Sequence, residues 1–159
     1  MALLPDRQVI STELGFFMNQ VAERGGIATL LTGASGVALD NSNAVCQYAA
    51  NPSGLAPLGL LLEDMVNLDL TKQIPNFYKD QMQIGSKVAL MTRGFVTTNL
   101  ITGTPAAGGP AYLGASGYLT PTRSSNGGTA ATPIVGRFWT SLDENGYARV
   151  EVNIPMTQN

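Results

Sequence analysis

No histidine occurs anywhere in this chain. A Ser-His-Asp or Cys-His nucleophile arrangement therefore cannot be assembled from it alone, and histidine-ligated zinc or iron sites are closed to it as well. Cysteine appears once, at Cys46, which excludes an internal disulfide and any metal site built on paired cysteines. With no histidine to activate it, Cys46 reads as a small buried apolar residue rather than a nucleophile. Charge is scarce too. Charged residues make up 13% of the chain, about half the usual quarter, so solubility rests on uncharged Ser, Thr, Asn and Gln, as suits a surface largely covered by neighbours. The net charge is −2, and no basic footprint invites nucleic acid or an anionic membrane. The longest apolar run, residues 55–62 (LAPLGLLL), is far short of the roughly 20 residues that span a bilayer. The first residues, MALLPDRQ, lack the basic and apolar regions of a secretion signal, so the protein is expected to be used where it is made.

Motifs for chemistry are missing as well. The string GASG occurs at 33–36 and 114–117, but Ser35 and Ser116 are each followed at once by glycine, so neither is a nucleophile elbow. No glycine-rich stretch runs into the Lys-Ser or Lys-Thr of a phosphate-binding loop. Two adjacent carboxylate pairs, Glu63-Asp64 and Asp143-Glu144, could in principle serve glycosidic chemistry; adjacent acids in turns are normally solvated. Asp40, Asn41 and Asn43 lack the glycine and the distal glutamate of a calcium loop and read as a polar turn. The expectation is a protein that is not an enzyme, with no cofactor and no metal.

What is present is apolar sequence, 44% of the chain, cut up by 18 glycines and nine prolines. Residues 1–25 stand apart as an arm. Within it STELGFFMNQVAER (11–24) suggests a short helix capped by Ser11 or Thr12, with Leu14, Phe17, Met18 and Val21 at helical spacing and Gly25-Gly26 as its end. So many large apolar residues imply that the arm docks either on its own domain or on another chain. Residues 26–159 change character: short apolar segments between glycine-rich turns predict an all-β barrel or sandwich of about nine short strands. The segments are 27–32, 44–49, 56–62, 87–92, 94–100, 111–113, 117–120, 134–142 and 147–154. The stretch 63–82 reads as an excursion anchored by Phe77 and Tyr78, and 123–133 as a surface loop. The last two strands form a hairpin around Asn145-Gly146. Ala148, Val150, Val152 and Ile154 share one face there, and Pro155 ends the ladder. Trp139 is expected in the core.

Residues 56–64 (APLGLLLED), 84–98 (IGSKVALMTRGFVTT) and 112–122 (YLGASGYLTPT), leading into 133–153 (PIVGRFWTSLDENGYARVEVN), resemble in order the small capsid decoration proteins, or head-stabilising cement proteins, of tailed bacteriophages. Gly85 with Val88, Gly117 with Leu119 and Thr120, Ile134 with Gly136, and Val150 with Val152 carry the match. The resemblance spans roughly 26–154; the long arm and the 63–82 excursion depart from the pattern. It implies a β-rich homotrimer made in the host cytoplasm and attached to the outside of the capsid, with the major capsid protein as partner. A 25-residue arm could reach up to ~80 Å when extended, enough to tie one capsomer to the next. The expected contacts to capsid or subunit are Leu3, Leu4, Val9, Ile10, Phe16, Phe17, Phe77 and Tyr78. Two other readings remain: a tail or neck accessory protein of a virion, and a carbohydrate-binding β module resting on Trp139, Phe138 and Tyr147.

Overall fold

A computed structural model describes residues 2–31, 45–64, 81–82, 84–123 and 131–154. The first GASG string, the Asp40–Asn43 turn, Phe77 and Tyr78 with most of the 63–82 excursion, and Pro155 lie outside the described residues.

The strands, in chain order, are β1 (Gln8–Met18), β2 (Ala22–Glu23), β3 (Ile27–Leu30), β4 (Val45–Gln47), β5 (Pro57–Asp64), β6 (Gln81–Met82), β7 (Lys87–Thr98), β8 (Pro110–Leu113), β9 (Leu119–Thr120), β10 (Ile134–Phe138) and β11 (Ala148–Asn153). Among the described residues the only helical element is a single 3-10 turn, Ala115–Gly117, within the second GASG string. Nine strands make one sheet in the order β1-β4-β3-β5-β7-β11-β10-β8-β9, and β1 also pairs with β7, so five strands close a circuit; β2 and β6 form a separate pair. The all-β fold expected from the sequence is therefore the one observed.

β7 organises the sheet. Its Val88–Met91 stretch pairs with β5 and its Arg93–Thr98 stretch with β11, while β1 pairs along Lys87–Phe95. A strand has two edges, so β1 holds the edge opposite β5 and β11. Two segments expected as separate strands, 87–92 and 94–100, are thus one, running through Gly94. A side chain at Gly94 would collide with the carbonyl oxygen of Gln8 and the sulfur of Met91. The glycine is there to let β1 lie close, not to break the strand.

Alternation along β5 and β7 feeds two cores. Leu61, Val88 and Leu90 join Met18, Ala28, Cys46, Tyr48 and Met82 on one side. Leu60, Leu62, Ala89 and Met91 join Leu3, Val96, Leu113, Val135, Phe138, Val150 and Val152 on the other. Each such fully buried aliphatic or aromatic side chain contributes about 1.5–3 kcal/mol. The last hairpin is built as its pattern foretold, with Ala148, Val150 and Val152 buried and Gly136, Arg137 and Phe138 opposite Val152, Glu151 and Val150. The Asp143 carboxylate accepts the amides of Asn145 and Tyr147 at 2.9 and 2.8 Å, so that acid shapes the turn.

Two expectations need correction. Residues 11–24 are not helical: β1 occupies Gln8–Met18 and β2 follows at Ala22–Glu23. The helical spacing was coincidental, since of its four apolar residues only Met18 is buried while Leu14 and Val21 are exposed. Val9, Ile10 and Thr12 are β-branched and Gly15 weakens a helix. An extended chain here also pairs the edge of β7 that a helix would leave unpaired. Trp139, expected in the core, is 46% exposed. β10 ends at the fully buried Phe138, and alternation turns the next side chain outward.

Candidate interaction surface

The lone thiol and the Tyr48 phenol are both buried. Cys46 is fully buried, its Sγ 3.6 Å from the Met18 sulfur, and burial pushes its thiol pKa up to about 12. It is held as a neutral thiol, the form that is neither nucleophile nor metal ligand. The Tyr48 hydroxyl is also pushed well above its ordinary range, first by burial. It donates to the Glu23 carbonyl at 2.6 Å and accepts the Gly26 amide at 3.1 Å, so both of its hydrogen-bonding roles serve the fold.

The first contact feature is β1. Residues 8–14 are exposed throughout, on both sides of the strand, and burial begins only toward Met18. Val9 is 40%, Ile10 55% and Leu14 43% exposed. Along Gln8–Phe16 the strand pairs with β7 alone among the described residues; only Phe17 and Met18 also meet β4, in parallel with Val45 and Cys46. Edge strands of soluble proteins are normally protected by lysine, proline, bulges or short length. β1 is 11 residues long and contains no lysine, arginine or proline. Its one charge, Glu13, is turned back on the strand, accepting the Gly15 amide at 2.8 Å. Register shifts at Val9/Ser11, Ser11/Thr12 and Glu13/Phe16 kink it locally.

The second feature lies on the outward face of β7, β11 and β10. The Arg137 guanidinium sits 4.4 Å from the centre of the Trp139 ring, and the Phe95 ring is tilted against Trp139 at 6.1 Å. Glu151 ties the pair, accepting the indole N–H at 3.1 Å and facing the Arg137 guanidinium at 3.5 Å. Arg149 lies 5.9 Å from Phe95 and reaches the Asp6 carboxylate at 3.4 Å. Beside this array Ile134, Gly136, Arg137, Glu151 and Asn153 line a shallow cleft of about 290 Å³. Exposed Trp and Arg are the side chains on which binding energy most often concentrates.

The sequence-expected contact residues separate in space. Leu3 is buried in this chain's own core and bridges to Thr98, and half-buried Leu4 donates its amide to the Thr97 carbonyl. Phe16 packs half-buried on the Cys46 core, and Phe17 lies half-buried under the Lys87 ammonium. Val9 and Ile10 alone of that set, among the described residues, face outward. Leu14 and Arg137 were not among the expected contacts, and Trp139 entered only through the carbohydrate reading. A period-two reading of 137–139 against 149–151 would have put Arg137, Trp139, Arg149 and Glu151 on one outward face.

Comparison with known proteins adds one finding. A family model described as XM1 gp53 minor capsid protein matches residues 6–154. No curated protein matches the chain.

Proposed function

The chain belongs to the XM1 gp53 minor capsid protein family, and from that premise we propose that it is a decoration protein of the phage head. A minor capsid family places it among the structural proteins of a phage virion, in a role that calls for no catalyst. The finer reading is ours. The protein binds the outer surface of the assembled shell, contacts the major capsid protein, and bridges neighbouring capsomers as a homotrimer. Each copy that binds the expanded shell and not its open form stabilises the shell by mass action.

The observation that carries this reading is β1, a long strand left exposed on both sides and carrying Val9, Ile10 and Leu14. Apolar surface in that position gains free energy only when something covers it. Val9 and Ile10 make the contact, with Phe16 and Phe17 supporting it from the strand's half-buried end. Leu3 and Leu4 fix the strand's root, and Phe77 and Tyr78 complete the set of contacts. The test is to add the protein to heads prepared without it and follow DNA release on heating. A rise in release temperature that grows with protein concentration and then saturates supports decoration; an unchanged temperature at saturating protein counts against it.

The exposed Trp139 gives the carbohydrate reading one favourable feature. Sugar stacking needs an open ring face, however, and Arg137 covers one while Phe95 flanks the ring.

A further inference from the structure

We propose that the outer edge of β1, over Gln8–Glu13, accepts an extended, largely uncharged segment of the shell protein as an added strand; this rests on the decoration reading. β7 already occupies the inner edge of β1. Since the backbone of a strand offers hydrogen-bonding groups to both sides, the outer edge presents a row of amides and carbonyls with no partner strand among the described residues. Register shifts at Val9/Ser11 and Ser11/Thr12 interrupt that row, so a polypeptide in extended form satisfies it in short stretches on either side of them, and contacts with side chains on either face then supply selectivity.

The surroundings describe the incoming strand. Gln8–Phe16 holds a single charge, Glu13, already engaged by the Gly15 amide, and its other exposed side chains are Gln8, Val9, Ile10, Ser11, Thr12 and Leu14. Opposite such residues β-branched and hydroxyl side chains pair best. On the neighbouring strand β7, exposed Arg93 stands level with Ser11, and exposed Lys87 level with Phe17. Both cations lie on β7, one strand removed from the outer edge; only Arg93 is level with Gln8–Glu13, so an acidic residue near the middle of the incoming segment is favoured. A second β1 fits less well: antiparallel pairing centred on Ser11 would set Glu13 of one copy against Val9 of the other, a charge against an apolar side chain.

The experiment uses heads prepared without the protein, the full chain, and a Val9→Lys/Ile10→Lys variant. Both replaced side chains are exposed, and lysine on an edge blocks strand addition. Tyr118→Lys, an added lysine at an exposed aromatic away from β1, is the control. Binding by the double variant is expected to fall about tenfold or more, as at a contact centre, with an unchanged thermal midpoint and with the control binding as the native chain does. Hydrogen exchange on the native chain should show the amides of residues 8–13 becoming protected only when heads are present. If the native chain does not bind heads, the decoration reading fails and this inference with it. If it binds but the double variant binds equally and residues 8–13 gain no protection, the edge proposal alone is overturned. Protection of those amides that rises with protein concentration in the absence of heads would assign the edge to a second copy and overturn the proposed occupant. Should the double variant not fold, the exchange measurement on the native chain decides by itself.

Discussion

The ring of Tyr48 lies so close to Gly117 that a Cβ at that glycine would come within 2.7 Å of it. Through this contact the 3-10 turn at Ala115–Gly117 is seated on the end of β4. The Tyr48 hydroxyl, bonded to Glu23 and Gly26, ties in the segment that leads into β3. Gly117 has φ +80°, as Gly146 has φ +81°, but nothing lies within 4 Å of a side chain at Gly146. Alanine at either position carries the left-handed backbone cost of roughly 1–2 kcal/mol. Only at Gly117 does overpacking against a buried ring add a further ~1–3 kcal/mol. Urea unfolding of Gly117→Ala and Gly146→Ala is expected to show the first clearly less stable, and Tyr48→Phe to lose about 1–3 kcal/mol, chiefly through the buried Gly26 amide left without its acceptor.

The buried thiol gives a pH signature. Unfolded, Cys46 ionises near pH 8.5 and Tyr48 near 10; folded, burial holds Cys46 to about 12 and raises Tyr48 as well. Above about pH 9 the unfolded chain therefore binds fewer protons than the folded one, and stability falls as pH rises. The urea midpoint should decline from pH 8.5 to 10.5, and less steeply in Cys46→Ala. A thiol reagent at pH 8 should leave the folded protein unmodified and label it in denaturant.

Removing the N-terminal strand should damage the fold as well as any binding. Ala2 and Leu3 are buried, the Asn99 amide donates to the Ala2 carbonyl at 3.0 Å, and β1 covers one edge of β7. Leu3→Ala is expected to cost about 2–5 kcal/mol, and deletion of residues 1–18 to give a chain with a sharply lowered thermal midpoint and a tendency to aggregate through the bared edge. Point substitutions at Val9 and Ile10 are accordingly the cleaner probes of contact.

Arg137 lies over the Trp139 ring, and Glu151 accepts the indole N–H and forms an ion pair with the guanidinium. A double-mutant cycle of Arg137→Ala and Trp139→Phe should give a coupling of about 0.5–1 kcal/mol, the range of an exposed cation–π pair. It should shrink when Glu151→Gln removes the anchoring charge. Additive effects would mean that the stacking contributes nothing.

The core was legible wherever one face of a strand packs and the other does not. Ala148, Val150 and Val152 announce their buried face through alternation, and Asn145-Gly146 announces their turn. The edge strand was not legible. Residues 8–14 of β1 are exposed on both sides, so no period-two pattern survives there, and an accidental 3.6-residue spacing of Leu14, Phe17, Met18 and Val21 stood out instead. The single strand β7 read as two segments, 87–92 and 94–100, because what runs beside it there, β1 with its Gln8 carbonyl close over Gly94, lies some 85 positions earlier in the chain. Long-range pairing of that kind leaves no local trace. The surface array was hidden for a related reason: Trp139 lies one residue beyond the end of β10, and where a strand ends decides which way the next side chain points.

The most direct test of the decoration reading is co-sedimentation of the full-length protein with purified heads that lack it, counting bound copies against shell subunits as protein is added. Decoration predicts binding that saturates at a fixed ratio of many copies per head, in proportion to the shell subunits. No sedimentation, or saturation at a few copies confined to one vertex, would contradict it.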